Sequence, residues 1–246
     1  MRGYPAGAGG LSASAGGLVD GVDRSFFDNF EEDRMAAYYE RSTLGETTLV
    51  DDAGYHTARG LRLEGYNFLW TVPGSGFERY PDTDEWIIYV MTIDNWENVS
   101  QIWFPVFGDP SNEGDRDPSY EIQIINNDET FRIQSRDNSD NKEDVATDAE
   151  SDQTYDWFST GVTYAVGIYR KPSGGVLGGL WDANADYPLE SEAIAYIDSA
   201  DHPYDDGSSI DGIGPDDGPG RWGYRTGDNV TLRVHEVERV EPPEEN

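Results

Sequence analysis

The 246-residue sequence predicts an all-β fold, a two-sheet antiparallel sandwich preceded by an extended N-terminal arm. Three observations carry that expectation. Apolar residues fall in many runs of strand length rather than in long helical stripes. Some of these runs alternate with period two, as in Tyr120-Glu121-Ile122-Gln123-Ile124 and over 230–237. Between the runs stand clusters of Asn, Asp, Gly, Pro and Ser, the residues of turns and loops.

In chain order, residues 1–22 are Gly, Ala and Ser with scattered Leu and Val, the composition of a flexible arm. Ordering such a segment costs about 1–2 kcal/mol per residue, so it is expected to be held by neighbouring chains and to serve as an anchor. Residues 23–240 are assigned to the sandwich and 241–246 to an acidic tail. The opening strand is expected over 26–31. Residues 31–41 would pass for a helix, but a strand is preferred there. Further strands are expected over 61–63, 86–93, 102–107, 120–125, 131–133, 164–169, 176–181, 193–197, 222–225 and 230–237. The run over 86–93 is apolar on both faces, as in a central strand covered from both sides. The alternating runs imply one buried and one wet face. Asn126-Asn127-Asp128 and Lys171-Pro172-Ser173-Gly174-Gly175 read as hairpin turns. The Asp/Gly/Pro stretch over 198–221 is too long for a turn and reads as a surface loop.

Composition then limits the function. Forty-nine acids against seventeen bases give a net charge of −32, and only two bases are lysines, Lys142 and Lys171. Such a surface suits molar salt, where carboxylates hold water and cations and the Debye length falls to about 3 Å at ~1 M. In dilute buffer it would repel itself. A halophilic source is therefore expected, and the 13% aromatic content opposes intrinsic disorder. Nucleic acid is an unsuitable partner, because phosphate binding needs clustered Lys and Arg. The absence of cysteine excludes disulfides, thiolate chemistry and Cys-ligated zinc. No apolar stretch approaches eighteen residues, so no membrane insertion is expected. The first ten residues lack the apolar centre of a signal peptide. An intracellular location, or export by another route such as a virus particle, is expected.

The order of the pieces resembles the concanavalin A-like lectin and glucanase superfamily, the jelly roll shared with laminin G-like modules. Phe26-Phe27-Asp28-Asn29-Phe30-Glu31 followed by Tyr38 is similar to the opening of such domains. The hairpin of Tyr120-Glu121-Ile122-Gln123-Ile124 with Thr130-Phe131-Arg132-Ile133-Gln134 looks like their paired central strands. Gly220-Arg221-Trp222-Gly223-Tyr224-Arg225-Thr226, then Val230-Thr231-Leu232-Arg233-Val234, resembles their closing strands. The resemblance implies a jelly-roll sandwich over residues 26–238. Enzymes of that superfamily carry a Glu-x-Asp-x-x-Glu strand. Here the corresponding strand reads Glu121-Ile122-Gln123-Ile124-Ile125-Asn126, with one acid where three are needed. A retaining pair must stand about 5–5.5 Å apart, so this departure argues against glycoside hydrolysis. Glu121 is expected to face solvent.

Other chemistry finds weak support. The histidines, His56, His202 and His235, read as turn, loop and surface-strand residues, and Gly74-Ser75-Gly76 lacks the spacing of a nucleophile elbow. Acidic loops offer hard oxygen ligands, so calcium is considered at 109–117 and, first, at Asp198, Asp201, Asp205 and Asp206. The resemblance also implies a structural Ca2+. A glycan site would use aromatic rings against sugar C–H faces, with polar side chains on the hydroxyls. The candidates are Trp96, Trp103, Trp157, Trp181 and Tyr224, with Asp94 and Asn95 beside Trp96; Trp86 and Trp222 are assigned to the core.

The expected function is a non-enzymatic structural and recognition subunit of a halophilic assembly: a virion spike, fibre or decoration protein of a haloarchaeal system. Residues 1–22 would join a homo-oligomer to other assembly subunits, and a lectin-like domain would meet a cell-surface glycan. The alternatives are a glycan-active hydrolase or lyase of the same fold, or a free carbohydrate-binding module.

Overall fold

A computed structural model describes residues 24–33, 35, 39–41, 45–51, 55–71, 84–97, 101–108, 119–125, 130–136, 142–147, 158–172, 175–199 and 221–242. The arm, the loop over 109–117, Trp157, His202, Asp201, Asp205 and Asp206 lie outside the described residues. Fifteen strands are described: β1 Arg24–Asp28, β2 Tyr39–Arg41, β3 Glu46–Asp51, β4 Arg59–Glu64, β5 Asn67–Thr71, β6 Trp86–Trp96, β7 Gln101–Gly108, β8 Ser119–Ile125, β9 Thr130–Arg136, β10 Lys142–Thr147, β11 Thr163–Arg170, β12 Val176–Asp182, β13 Ala195–Asp198, β14 Arg221–Thr226 and β15 Val230–Val240.

They form two antiparallel sheets, as expected. The eight-stranded sheet runs β13-β12-β11-β6-β15-β4-β3, with β1 added beside the last residues of β15; the seven-stranded sheet runs β10-β9-β8-β7-β14-β5-β2. Alternate residues of both sheets point into one core. From the eight-stranded sheet come Leu61, Leu63, Ile87, Tyr89, Met91, Leu232 and Val234. The seven-stranded sheet contributes Leu69, Phe104, Ile122, Phe131, Trp222 and Tyr224. Each such side chain adds about 1.5–3 kcal/mol when taken from water. The hairpins β8–β9 and β11–β12 are antiparallel neighbours, as their turn residues imply.

Several expectations change. β1 ends at Asp28, whose carboxylate accepts the Phe30 N–H at 2.9 Å, and the chain then bends through Phe30, φ 57°. Over 31–41 only Tyr39–Arg41 is described as strand, while Met35 has helical geometry. Residues 120–125 of β8 and all of β15 but Arg233 and Arg239 are buried: Glu121 and Gln123 are each 2% exposed, His235 4%, and Glu236 and Glu238 are fully buried. β15 lies between β6 and β4, and His56 and Tyr187 lie over Glu236 and Glu238 on its outward side. The expected exposed Glu121 and surface His235 are thereby corrected.

The outer face of the eight-stranded sheet is closed by a second apolar cluster of Trp86, Ile88, Ala165, Trp181, Tyr187 and Val240. Gly179 makes room for it. A Cβ there would stand 1.9 Å from the Trp181 ring, so only glycine lets that ring lie on the strand. The indole N–H of Trp181 donates to the Leu189 carbonyl at 2.8 Å, which ties the 3-10 turn Glu190–Glu192 and its approach to the sheet.

Candidate functional site

The outer face of the seven-stranded sheet is built differently. Where residues pointing inward are apolar, the register brings their outward neighbours into one cross-strand row. Phe68 of β5 stands beside Arg225 of β14, Arg225 beside Trp103 of β7, Trp103 beside Gln123 of β8, and Gln123 beside Arg132 of β9. Five strands at about 4.8 Å spacing make this row about 19 Å long. Next to it run Trp70 beside Gly223, and Pro105, Glu121 and Gln134 abreast.

The row is held by its own contacts. The Arg225 guanidinium lies 4.6 Å from the centre of the Trp103 ring, 5.8 Å from Tyr66 and 6.0 Å from Phe68. Stacking of this kind contributes about 0.5–2 kcal/mol and fixes the plane of the fork. The Arg132 Nε–H donates to Gln123 Oε1 at 2.6 Å, and Gln123 Nε2–H donates to Gln101 Oε1 at 2.8 Å. Trp103 Nε1 and Arg225 Nε are buried without an acceptor among the described residues. Buried donors are nearly always paired, so this patch holds unused donor capacity. Arg132, Arg225, Gln101 and Tyr66 remain half-buried and reach solvent. The arrangement can present planar donors to hydroxyl or carboxylate oxygens.

The residues chosen from sequence do not gather here, Trp103 excepted. At 8% exposure its ring is covered by Arg225, so it supports the guanidinium instead of offering a face to a sugar. Trp181 and Tyr224 are fully buried, the first in the outer cluster and the second in the main core. Neither ring is open to a sugar, which corrects that expectation. Trp96 ends β6 and stacks on Phe158 with ring centres 5.7 Å apart. Asp94 and Asn95 are exposed on the other sheet, and Asp94 accepts two hydrogen bonds from Arg233, at 2.6 and 2.7 Å. Trp86 and Trp222 are buried as assigned.

Of the expected calcium ligands only Asp198 is described, and it pairs with the Lys171 ammonium. Asp201, Asp205 and Asp206, the other three expected ligands, lie outside the described residues. Arg132 and Arg225 are not among the residues expected from sequence. Their signal was present: Phe131-Arg132-Ile133 and Tyr224-Arg225-Thr226 alternate, which aims each arginine away from the core.

No protein-family model matches the sequence, and no curated protein does. Solved structures do share its architecture. The carbohydrate recognition domain of Emp46p, in a metal-free form, matches with a TM-score of 0.50 and 9% identity over 88% of this chain and 95% of that one. The exoplasmic domain of VIP36, bound to Ca2+ and Man3GlcNAc, gives 0.46 and 12% over 87% and 88%. An endo-β-1,4-glucuronan lyase from the fungus Trichoderma reesei gives 0.44 and 11% over 93% and 94%. The likeness is one of fold: this chain shares a two-sheet antiparallel sandwich with the Emp46p domain.

Proposed function

We propose that the chain binds a carbohydrate along the row from Phe68 to Arg132, without catalysis. The observation that carries the reading is the concentration of two guanidinium groups and two side-chain amides on one sheet face of a chain with net charge −32. A row about 19 Å long suits an extended chain of sugars better than a single one. Arg225 and Arg132 bind carboxylate oxygens through a planar fork, so uronate-bearing polysaccharides are the favoured class. Fold likeness to a carbohydrate recognition domain agrees with this reading.

A binding role is preferred over hydrolysis because Glu121 is the one carboxylate among the described side chains of these two rows. Its strand neighbours Gln123 and Ile125 give it no facing acid. The expected setting, a haloarchaeal virion subunit anchored by residues 1–22, with its sandwich turned to a cell surface, remains part of the proposal on grounds of composition alone. No helix among the described residues is long and apolar enough to cross a membrane.

The test is calorimetric titration in ~3 M KCl with a polyuronate, a neutral glucan and a mannan, followed by assay of each polymer for new reducing or unsaturated ends. Saturable binding, tightest for the polyuronate, with no new ends is the expected result. Absence of binding to all three polymers overturns the proposal; new ends overturn its non-catalytic part.

A further inference from the structure

The other outer face holds a cluster that the glycan reading does not use. β15 carries Glu236 and Glu238 two residues apart, and both carboxylates are fully buried. A bulge between Val234 and Glu236 keeps these two residues on the outward side of the strand, opposite Val90 and Ile88. His56, from the segment before β4, reaches over them. Its Nδ1 contacts Glu236 Oε1 and lies 3.4 Å from Glu238 Oε1. All three atoms fall within 4.8 Å of one another.

The second oxygen of each carboxylate is held elsewhere. Glu236 Oε2 accepts the His56 backbone N–H at 3.3 Å, and Glu238 Oε2 accepts the Tyr187 hydroxyl at 3.1 Å. The Tyr55 ring stands edge-on to His56 at 4.6 Å between centres, which fixes the imidazole plane. Each Oε1 is thus aimed at the same ring nitrogen. One imidazole N–H serves only one of these two carboxylates at a time. A divalent cation would balance both.

We infer that His56, Glu236 and Glu238 bind a divalent transition cation of the Zn2+ type on the outer face of the eight-stranded sheet. Ligands about 2.0–2.2 Å from zinc stand roughly 3–4 Å from one another, and the His56–Glu238 separation of 3.4 Å already meets that spacing. The His56–Glu236 contact would open to admit the cation between the two side chains. Imidazole with carboxylates selects zinc and its neighbours over calcium, which takes six to eight oxygens. The Tyr187 hydroxyl and the His56 N–H are the outer supports that such a site needs. The His56 side chain is 16% exposed, which leaves an entry path and a fourth position for water.

The test uses the full chain, stripped with a chelator and titrated with ZnCl2 in ~2 M KCl and excess MgCl2, which suppresses loose binding by the acidic surface. One saturating site per chain, a rise in melting temperature on zinc addition, and a four-coordinate visible spectrum with Co2+ are expected. His56→Gln and Glu238→Gln should each weaken zinc binding at least tenfold. Glu238→Gln, which removes one of two buried charges at constant volume, should melt no lower than wild type without metal. Wild-type protein that takes up no zinc in the presence of magnesium overturns the inference and leaves a His56–Glu236 ion pair. Uptake unchanged by both substitutions overturns it too. If either variant fails to fold, the wild-type stoichiometry and the Co2+ spectrum decide.

Discussion

The two outward faces of this sandwich share one construction rule and end in opposite chemistry. On the eight-stranded sheet, Trp86, Trp181 and Tyr187 lie over Gly179 and turn the outer face into a second core. On the seven-stranded sheet, the same positions in the pleat carry Arg225, Trp103, Gln123 and Arg132. A covered face adds stability and gives up access, whereas on the seven-stranded sheet Arg225 and Arg132 stay half-buried over the buried Trp103 and Gln123 and keep their guanidinium groups within reach of solvent. Under the proposed function, stability and recognition are therefore separable in this molecule, one to each outer face.

The largest effect should come from emptying the covered face. Trp181→Ala removes a fully buried ring and its hydrogen bond to Leu189, and should cost about 3–5 kcal/mol in chemical unfolding at high salt, with glycan affinity of the surviving native protein unchanged. A loss under about 1 kcal/mol would mean the cluster is not a second core.

A smaller effect is expected at the aromatic centre that both sheets share. The Tyr39 hydroxyl donates to buried Asp28 at 2.7 Å, so Tyr39→Phe should cost about 1–3 kcal/mol. Burial, with Asp28 beside it, pushes the Tyr39 phenol up; burial does the same to Tyr89 and Tyr224. On the closed outer face, burial and then Glu190 and Asp198 push Tyr196 up to about 12. A phenol whose folded value exceeds its unfolded value near 10 stabilises the fold below about pH 10. That contribution is lost as pH climbs through the folded values. Stability should therefore fall on the alkaline side of pH 10 as the tyrosinate absorbance of these four phenols rises; full titration of all fifteen tyrosines near pH 10 with the fold intact would contradict this.

The smallest effect belongs to the exposed pair Asp94–Arg233. Its side chains are 30% and 31% exposed, and Asp94→Asn should cost about 0.2–1 kcal/mol, less still in molar salt. A larger loss would give this edge of the closed face a structural role that its exposure does not support.

How much of this was legible differs by strand. The run over 86–93, apolar on both sides, announced a central strand, and β6 is one. The β8–β9 hairpin followed from alternation around Asn126-Asn127-Asp128. β3 and β10 were not legible: both are edge strands, Glu46–Asp51 and Lys142–Thr147, and an edge strand need not carry an apolar stripe. The covered outer faces were equally hidden. Val234-His235-Glu236-Val237-Glu238 reads as one wet side, and the groups that bury it, His56 and Tyr187, come from 180 and 51 residues away in the chain. The burial of Trp181 and Tyr224, both expected to stack on a glycan, was hidden for the same reason. Large aromatics are the residues a core uses first, and Trp181 and Tyr224 are spent there.

The most direct test sets one arginine on each outer face against the other. Arg225→Gln and Arg233→Gln each remove a single positive charge, the first within the row of the seven-stranded sheet and the second on the eight-stranded sheet beside Asp94. Polyuronate affinity would be measured for both in ~3 M KCl. The account predicts at least a tenfold loss, about 1.4 kcal/mol, for Arg225→Gln and wild-type affinity for Arg233→Gln. Equal losses, or full affinity retained by Arg225→Gln, would contradict the assignment of recognition to the seven-stranded sheet.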